Sequence, residues 1–268
     1  MIDPGAAAEP AAPQTPPLAG PMVHPIEDPP WSGWDVTFLA VVSVLLTLIT
    51  LLVLSYVVRR IAYPALPWLE VLKFPEVIVG GQLIAYVLVF CLMYALVAGV
   101  HRQHFFSAVR WNWPRGSGWY LLGGLALSVA LQMVARLLPI PKNLPMDQFF
   151  RTPRQAWLLC IFSVTLAPLI EELFFRGFLY PVLARRFGMV AGIFLTAVGF
   201  ASIHGSQLTY AWGPVLIIFT VGLVLTLVRA VTKSVGASIL LHMGYNGTIA
   251  IAMYVGTDGF RHLERLSQ

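Results

Sequence analysis

Stretches of about twenty apolar residues recur along most of this 268-residue chain, and no other feature limits its fold more. A helical run of that length matches the hydrocarbon thickness of a bilayer. Inside a bilayer every backbone N–H and C=O must find its partner within the protein, and a helix meets that demand alone. The runs at Val36–Val58, Val77–Val100, Trp119–Leu138, Ala156–Tyr180, Met189–Ile203, Gly213–Val228 and Val235–Val255 therefore predict an all-α, polytopic transmembrane helical bundle. The count is seven spans, or eight if Pro168 splits the fourth into two shorter helices. Composition agrees: 58% of residues are hydrophobic and only 11% charged, where a soluble domain carries about a quarter.

The ends and connections carry less information. Residues 1–34 hold nine of the twenty prolines and no lysine or arginine, so they read as a disordered Pro/Ala-rich tail ahead of a membrane domain at 35–268. The segment Pro139–Arg154 is a polar, aromatic-containing connection, either an interfacial amphipathic piece or a loop, and its prolines favour the loop. Net charge is +5, but the basic residues sit mainly between spans and form no stripe, so nucleic acid is not expected as a partner. For seven spans they divide nine against seven between the two sides, which leaves orientation open. Cys91 and Cys160 are far apart and show no metal-type spacing.

Against this apolar background the stretch LIEELFFRGF at 169–178 stands out. Between Glu76 and Asp258 the only acids are Asp147, Glu171 and Glu172. A carboxylate at mid-bilayer costs about 2.5–3.5 kcal/mol on insertion scales, so an intramembrane pair is a candidate functional site. Helix geometry separates the two. They lie about 100° apart around the axis. Arg176 stands four residues after Glu172, the favourable orientation for an ion pair on one helix, and the bland reading of that pair is structural. Glu171 has Phe175 at the same offset, so its partner must come from another helix. Pro168 kinks the span or starts a new helix just before it, which opens polar backbone nearby.

Histidines are the natural candidates. Of six, only His204, closing GFASIH, and His242, in SILLHMGYNG, lie within or at the ends of spans. Asn246 follows His242 by one turn and shares its face. Any one intramembrane histidine could be a packed residue bonded to a carbonyl. Two histidines, an asparagine and an unpartnered glutamate on separate spans are harder to dismiss, since one shared cavity would satisfy all four. Such a cavity offers a general base, a group to orient water and donors for a developing oxyanion. The GxSxG and HExxH signatures of serine and zincin hydrolases are absent.

Glu171–Gly177 (EELFFRG), Phe200–His204 (FASIH) and His242–Asn246 (HMGYN) resemble, in that order, the three motifs of the CAAX-protease and bacteriocin-processing family, also called the Abi family, over roughly residues 155–255. The resemblance implies an intramembrane endopeptidase in which Glu171 and His204 activate water and His242 and Asn246 form the oxyanion site. Glu172 and Arg176 take a supporting role. It further implies a peptide or lipidated-protein substrate, a membrane-lipid environment and a multi-pass protein of a cell membrane, with a prokaryotic membrane expected. Glu171, His204 and His242 would also make a zinc triad with a fourth position for water, so a zinc-dependent variant stands beside the metal-free one. The metal-free reading is preferred because no ligand pair has metalloprotease helix spacing. A non-catalytic scaffold or bacteriocin-immunity-type protein is the alternative. A proton-coupled transporter would also explain buried Glu and His, but no repeat is visible. Substrate identity and oligomeric state are not written in the chain.

Overall fold

The computed structural model describes residues 27–139, 141, 149–208 and 211–267, and among them helices account for nearly all regular structure. The first 26 residues of the expected tail, and most of the Pro139–Arg154 connection, lie outside the described residues. Six helical runs are long and apolar enough to cross a membrane: Gly33–Ala62, Pro75–Val100, Ser117–Ala135, Pro153–Phe187, Trp212–Thr232 and Val235–Gly256. Met189–His204 is a shorter apolar helix of the same kind. The chain is a multi-pass membrane protein. Its helices follow the seven runs read from the sequence, and the fourth run is interrupted at Thr165.

Helix ends sit where the local sequence puts them. Helix α1 (Gly33–Ala62) starts at a capping box in which the Ser32 hydroxyl accepts from the Asp35 N–H and the Asp35 carboxylate accepts from the Ser32 N–H; Arg59 and Arg60 close its last turn. A single turn, α2 (Trp68–Val71), leads to α3 (Pro75–Tyr94), which begins on a proline that has no N–H to leave unpaired and widens into a π-helical turn at Ala95–Val100. The short α4 (Phe105–Ala108) precedes α5 (Ser117–Ala135). Helix α6 (Pro153–Val164) is capped by Thr152 and stops at Thr165, three residues before Pro168. The path resumes as α7 (Leu166–Glu172), opens into a π-helical segment at Leu173–Leu179 and continues as α8 (Tyr180–Phe187). Gly188, at φ +85°, turns it into α9 (Met189–His204). Helix α10 (Trp212–Thr232) ends at Lys233 in a left-handed conformation, and Ser234 caps α11 (Val235–Gly256).

Four pairings build the bundle: α1 on α3, α5 on α11, α8 on α9 and α9 on α10. The broken α6–α7–α8 path runs between these pairs and touches α3 on one side and α11 on the other. The largest buried cluster joins Trp31, Leu39, Met93, Phe105, Leu173, Phe178 and Ile239 around the motif-bearing segment. One expectation needs correction. The last residues of the supposed tail are part of the bundle: Glu27 and Trp31 are buried, because a cluster of cations and an aromatic ring receive them.

Candidate functional site

The helix break before the glutamates comes from missing backbone donors. Pro168 offers no N–H to the Val164 carbonyl one turn back. At the end of α6 the Ile161 carbonyl accepts both the Thr165 N–H (3.1 Å) and the Thr165 hydroxyl (2.7 Å). The Ser163 carbonyl instead receives the Asn246 side-chain amide from α11 (2.8 Å). The last turn of α6 thus carries the acceptor that holds Asn246.

Past the break, Glu172 and Arg176 are both fully buried and form the expected i, i+4 ion pair, Nη1 to Oε1, at 2.8 Å. The same Oε1 accepts from His242 Nδ1 at 2.9 Å, while Oε2 is buried with no hydrogen-bond partner among the described residues. The other nitrogens of Arg176 reach α10: Nε donates to the Thr226 hydroxyl (3.2 Å) and Nη2 to the Gly222 carbonyl (3.0 Å). Its guanidinium carbon lies 4.5 Å from the centroid of the Phe200 ring, a cation–π contact. Arg176 therefore ties the motif segment to α9 and α10 together. The π-helical turn carrying it is the wide-turn geometry that recurs at functional sites.

Phe200 is the hub. His204 lies 4.8 Å from its centroid and His242 5.8 Å, so the two imidazoles flank one ring although they come from α9 and α11. His204 Nδ1 sits 2.9 Å from the Phe200 carbonyl on its own helix. A carbonyl can only accept, so Nδ1 carries the proton, and Nε2 of the neutral ring keeps a lone pair. Glu171, half-buried on the neighbouring face of α7, accepts from the Tyr86 hydroxyl of α3 at 3.3 Å. No hydrogen bond joins Glu171 directly to His204 among the described residues. Glu172, Arg176, His204 and His242 thus form one set of contacts around Phe200, while Glu171 is bonded to Tyr86 and Asn246 to the Ser163 carbonyl.

Sequence reasoning missed two participants and understated a third. Tyr86 was not singled out, although a glutamine and a tyrosine at i and i+4 (Gln82, Tyr86) in the otherwise apolar VIVGGQLIAYVLVF were a readable sign of a polar face. Phe200 was a motif letter only, and nothing in the chain marks an aromatic as a hub. Glu172 was given a supporting role through Arg176 alone, yet it also bonds His242. Among the described residues no group of three His, Cys, Asp or Glu side chains lies close enough together to hold a metal ion. Of the three residues read as a zinc triad, Glu171 accepts from Tyr86, and His204 and His242 are held through Nδ1, by a carbonyl and by Glu172.

Comparison with known proteins bears out the motif resemblance. Residues 153–248 match the family described as Type II CAAX prenyl endopeptidase Rce1-like. The chain is also 29% identical over 132 residues to the UPF0177 protein YbdI of Lactococcus lactis subsp. lactis (strain IL1403), a stretch covering 49% of this chain and 69% of that one. No solved structure matches.

Proposed function

We propose that this chain, Rce1-like through its residues 153–248, is an intramembrane endopeptidase that hydrolyses peptide bonds of membrane-associated substrates with a water activated by Glu171 and His204. The observation that carries the reading is the meeting of His204 and His242 on the ring of Phe200, beside the buried Glu172–Arg176 pair. All three motifs thereby serve one location. Glu171 takes a proton from water as the water oxygen bonds to the scissile carbonyl carbon. The lone pair on His204 Nε2 orients that water. Asn246 spends one amide N–H on Ser163 and keeps the second for the developing oxyanion. His242 is held through Nδ1 by Glu172, which leaves Nε2 as the nitrogen available to the substrate. Peptides or prenylated proteins are the substrate class. No step needs a metal, and activity should survive a chelator.

The test is comparative proteomics of membranes from cells carrying wild type, Glu171→Gln or His204→Ala. Uncleaved precursors should accumulate in both variants while the protein itself reaches normal levels. Precursors absent in both would reject the assignment and favour a non-catalytic scaffold. Asn246→Ala should lower turnover by about 10²–10³-fold, the usual cost of one oxyanion donor, with the protein still folded.

A further inference from the structure

Tyr86 lies outside the residues matched by the family, on a span that contributes no motif, yet it touches the proposed base. Its ring is fixed by stacking on Phe162 of α6, centroids 5.7 Å apart and planes 17° from parallel. From α3 the Tyr86 hydroxyl crosses to α7 and donates to Glu171 Oε1.

We propose that Tyr86 is a positioning residue for the peptidase reaction, holding Glu171 through Oε1 so that Oε2 is the oxygen that receives the proton from water. The inference rests on the reading of Glu171 as the base. In the first step one O–H bond of water breaks and its proton passes to Oε2, while the water oxygen forms the new bond to the carbonyl carbon. In the second the C–N bond breaks and that proton leaves with the amine. Tyr86 keeps its own proton throughout. A carboxylate without such a donor rotates freely about its last torsion, and misplacement of a reacting atom by about 1 Å can cost about 10²-fold in rate.

Tyr86→Phe keeps the ring and its stack and removes only the hydroxyl. With a fluorogenic farnesylated CAAX peptide as probe and purified protein in lipid nanodiscs, we expect kcat to fall about 10- to 100-fold, with KM within about twofold and the unfolding temperature unchanged. An unchanged kcat beside an inactive Glu171→Gln control would overturn the role of Tyr86 alone. Activity retained by Glu171→Gln would overturn the base assignment and the role of Tyr86 with it. A second measurement is independent of turnover. The infrared carboxyl band of Glu171, identified by its loss in Glu171→Gln, should shift in Tyr86→Phe, and an unmoved band would remove the proposal whatever the peptide assay gives.

Discussion

Two fully buried charges, Glu172 and Arg176, are held in one set of contacts with five partners: each other, His242, Thr226, Gly222 and the face of Phe200. Removing one member of a buried pair strands the other and costs about 3–5 kcal/mol, whereas replacing both by groups of similar shape is often close to neutral. Arg176→Met should therefore unfold more readily by about that amount in detergent, and Glu172→Gln/Arg176→Met should recover much of the loss. Both variants should be inactive, since His242 loses its charged partner in the double variant and the shared oxygen is left with one donor in the single. If the double variant were as unstable as the sum of the two singles, the pair would not be coupled. The i, i+4 spacing made this ion pair legible in the sequence, because both partners lie on one helix. The bond from Glu172 to His242 was not legible, because it joins residues 70 apart in the chain and depends on how α11 is rotated.

At the level of elements, residues 27–31 act as a strap across one end of the bundle. Glu27 accepts from Arg229 (3.1 Å) and Lys233 (3.0 Å) and pairs with Arg110 (3.3 Å). The Arg185 guanidinium donates to the Pro29 carbonyl (2.6 Å) and the Trp31 carbonyl (2.9 Å). The Trp31 indole stacks on Phe178 at 4.4 Å and its N–H donates to the Phe178 carbonyl, inside the π-helical segment that carries Arg176. The strap is thus fastened to the motif itself. Trp31→Ala should cost about 3–5 kcal/mol as a large buried ring is lost, while Trp31→Phe should cost about 1 kcal/mol, the share of one hydrogen bond. Thermal unfolding of the two variants in the same detergent measures the difference. Burial alone would push the Glu27 carboxyl up, but Arg229, Lys233 and Arg110 together hold it below the ordinary glutamate range. A carboxyl lowered in the folded state binds fewer protons there than in the unfolded chain. Its contribution is therefore complete at neutral pH, weakens as pH drops below the ordinary glutamate value of about 4.3, and is gone once pH passes the lowered folded value. The pH dependence of unfolding should flatten in that window in Glu27→Gln. Composition concealed the strap. Proline-rich sequence without lysine or arginine looks like a tail, and the cations that anchor Glu27 and Asp28 stand some 80 to 200 residues later.

Across the whole molecule, the site depends on spans that belong to different parts of the chain meeting at fixed rotations, and the α5–α11 contact sets one of those rotations. On α11, Gly244 stands about 200° around the axis from His242, whereas Asn246 is only about 40° from it. One side of the helix therefore carries the site and the other meets α5. There the backbones touch: a methyl group on Gly244 would run into the Leu121 carbonyl, and one on Gly124 into the Leu241 carbonyl. Small residues at such crossings let membrane helices approach closely, and the contacts of the close approach supply the binding, since lipid gives no hydrophobic drive between helices. Apolar run lengths made each span readable one at a time, but a run length carries no rotation, so the grouping of Glu171, His204, His242 and Asn246 was legible from their motifs and the rotations that would bring them together were not. Gly244→Ala should push α11 off α5, lower stability by about 1–3 kcal/mol and turn His242 and Asn246 away from Glu172 and Ser163, with a loss of turnover larger than the loss of stability alone explains. Gly256→Ala is the matched control, on the same helix with nothing within 4 Å of the added methyl. Unfolding temperature and turnover measured on both variants separate the two effects: if Gly244→Ala behaves as Gly256→Ala does, the crossing at Gly244 does not set the rotation of α11, and the alignment of His242 and Asn246 must come from their bonds to Glu172 and Ser163 instead.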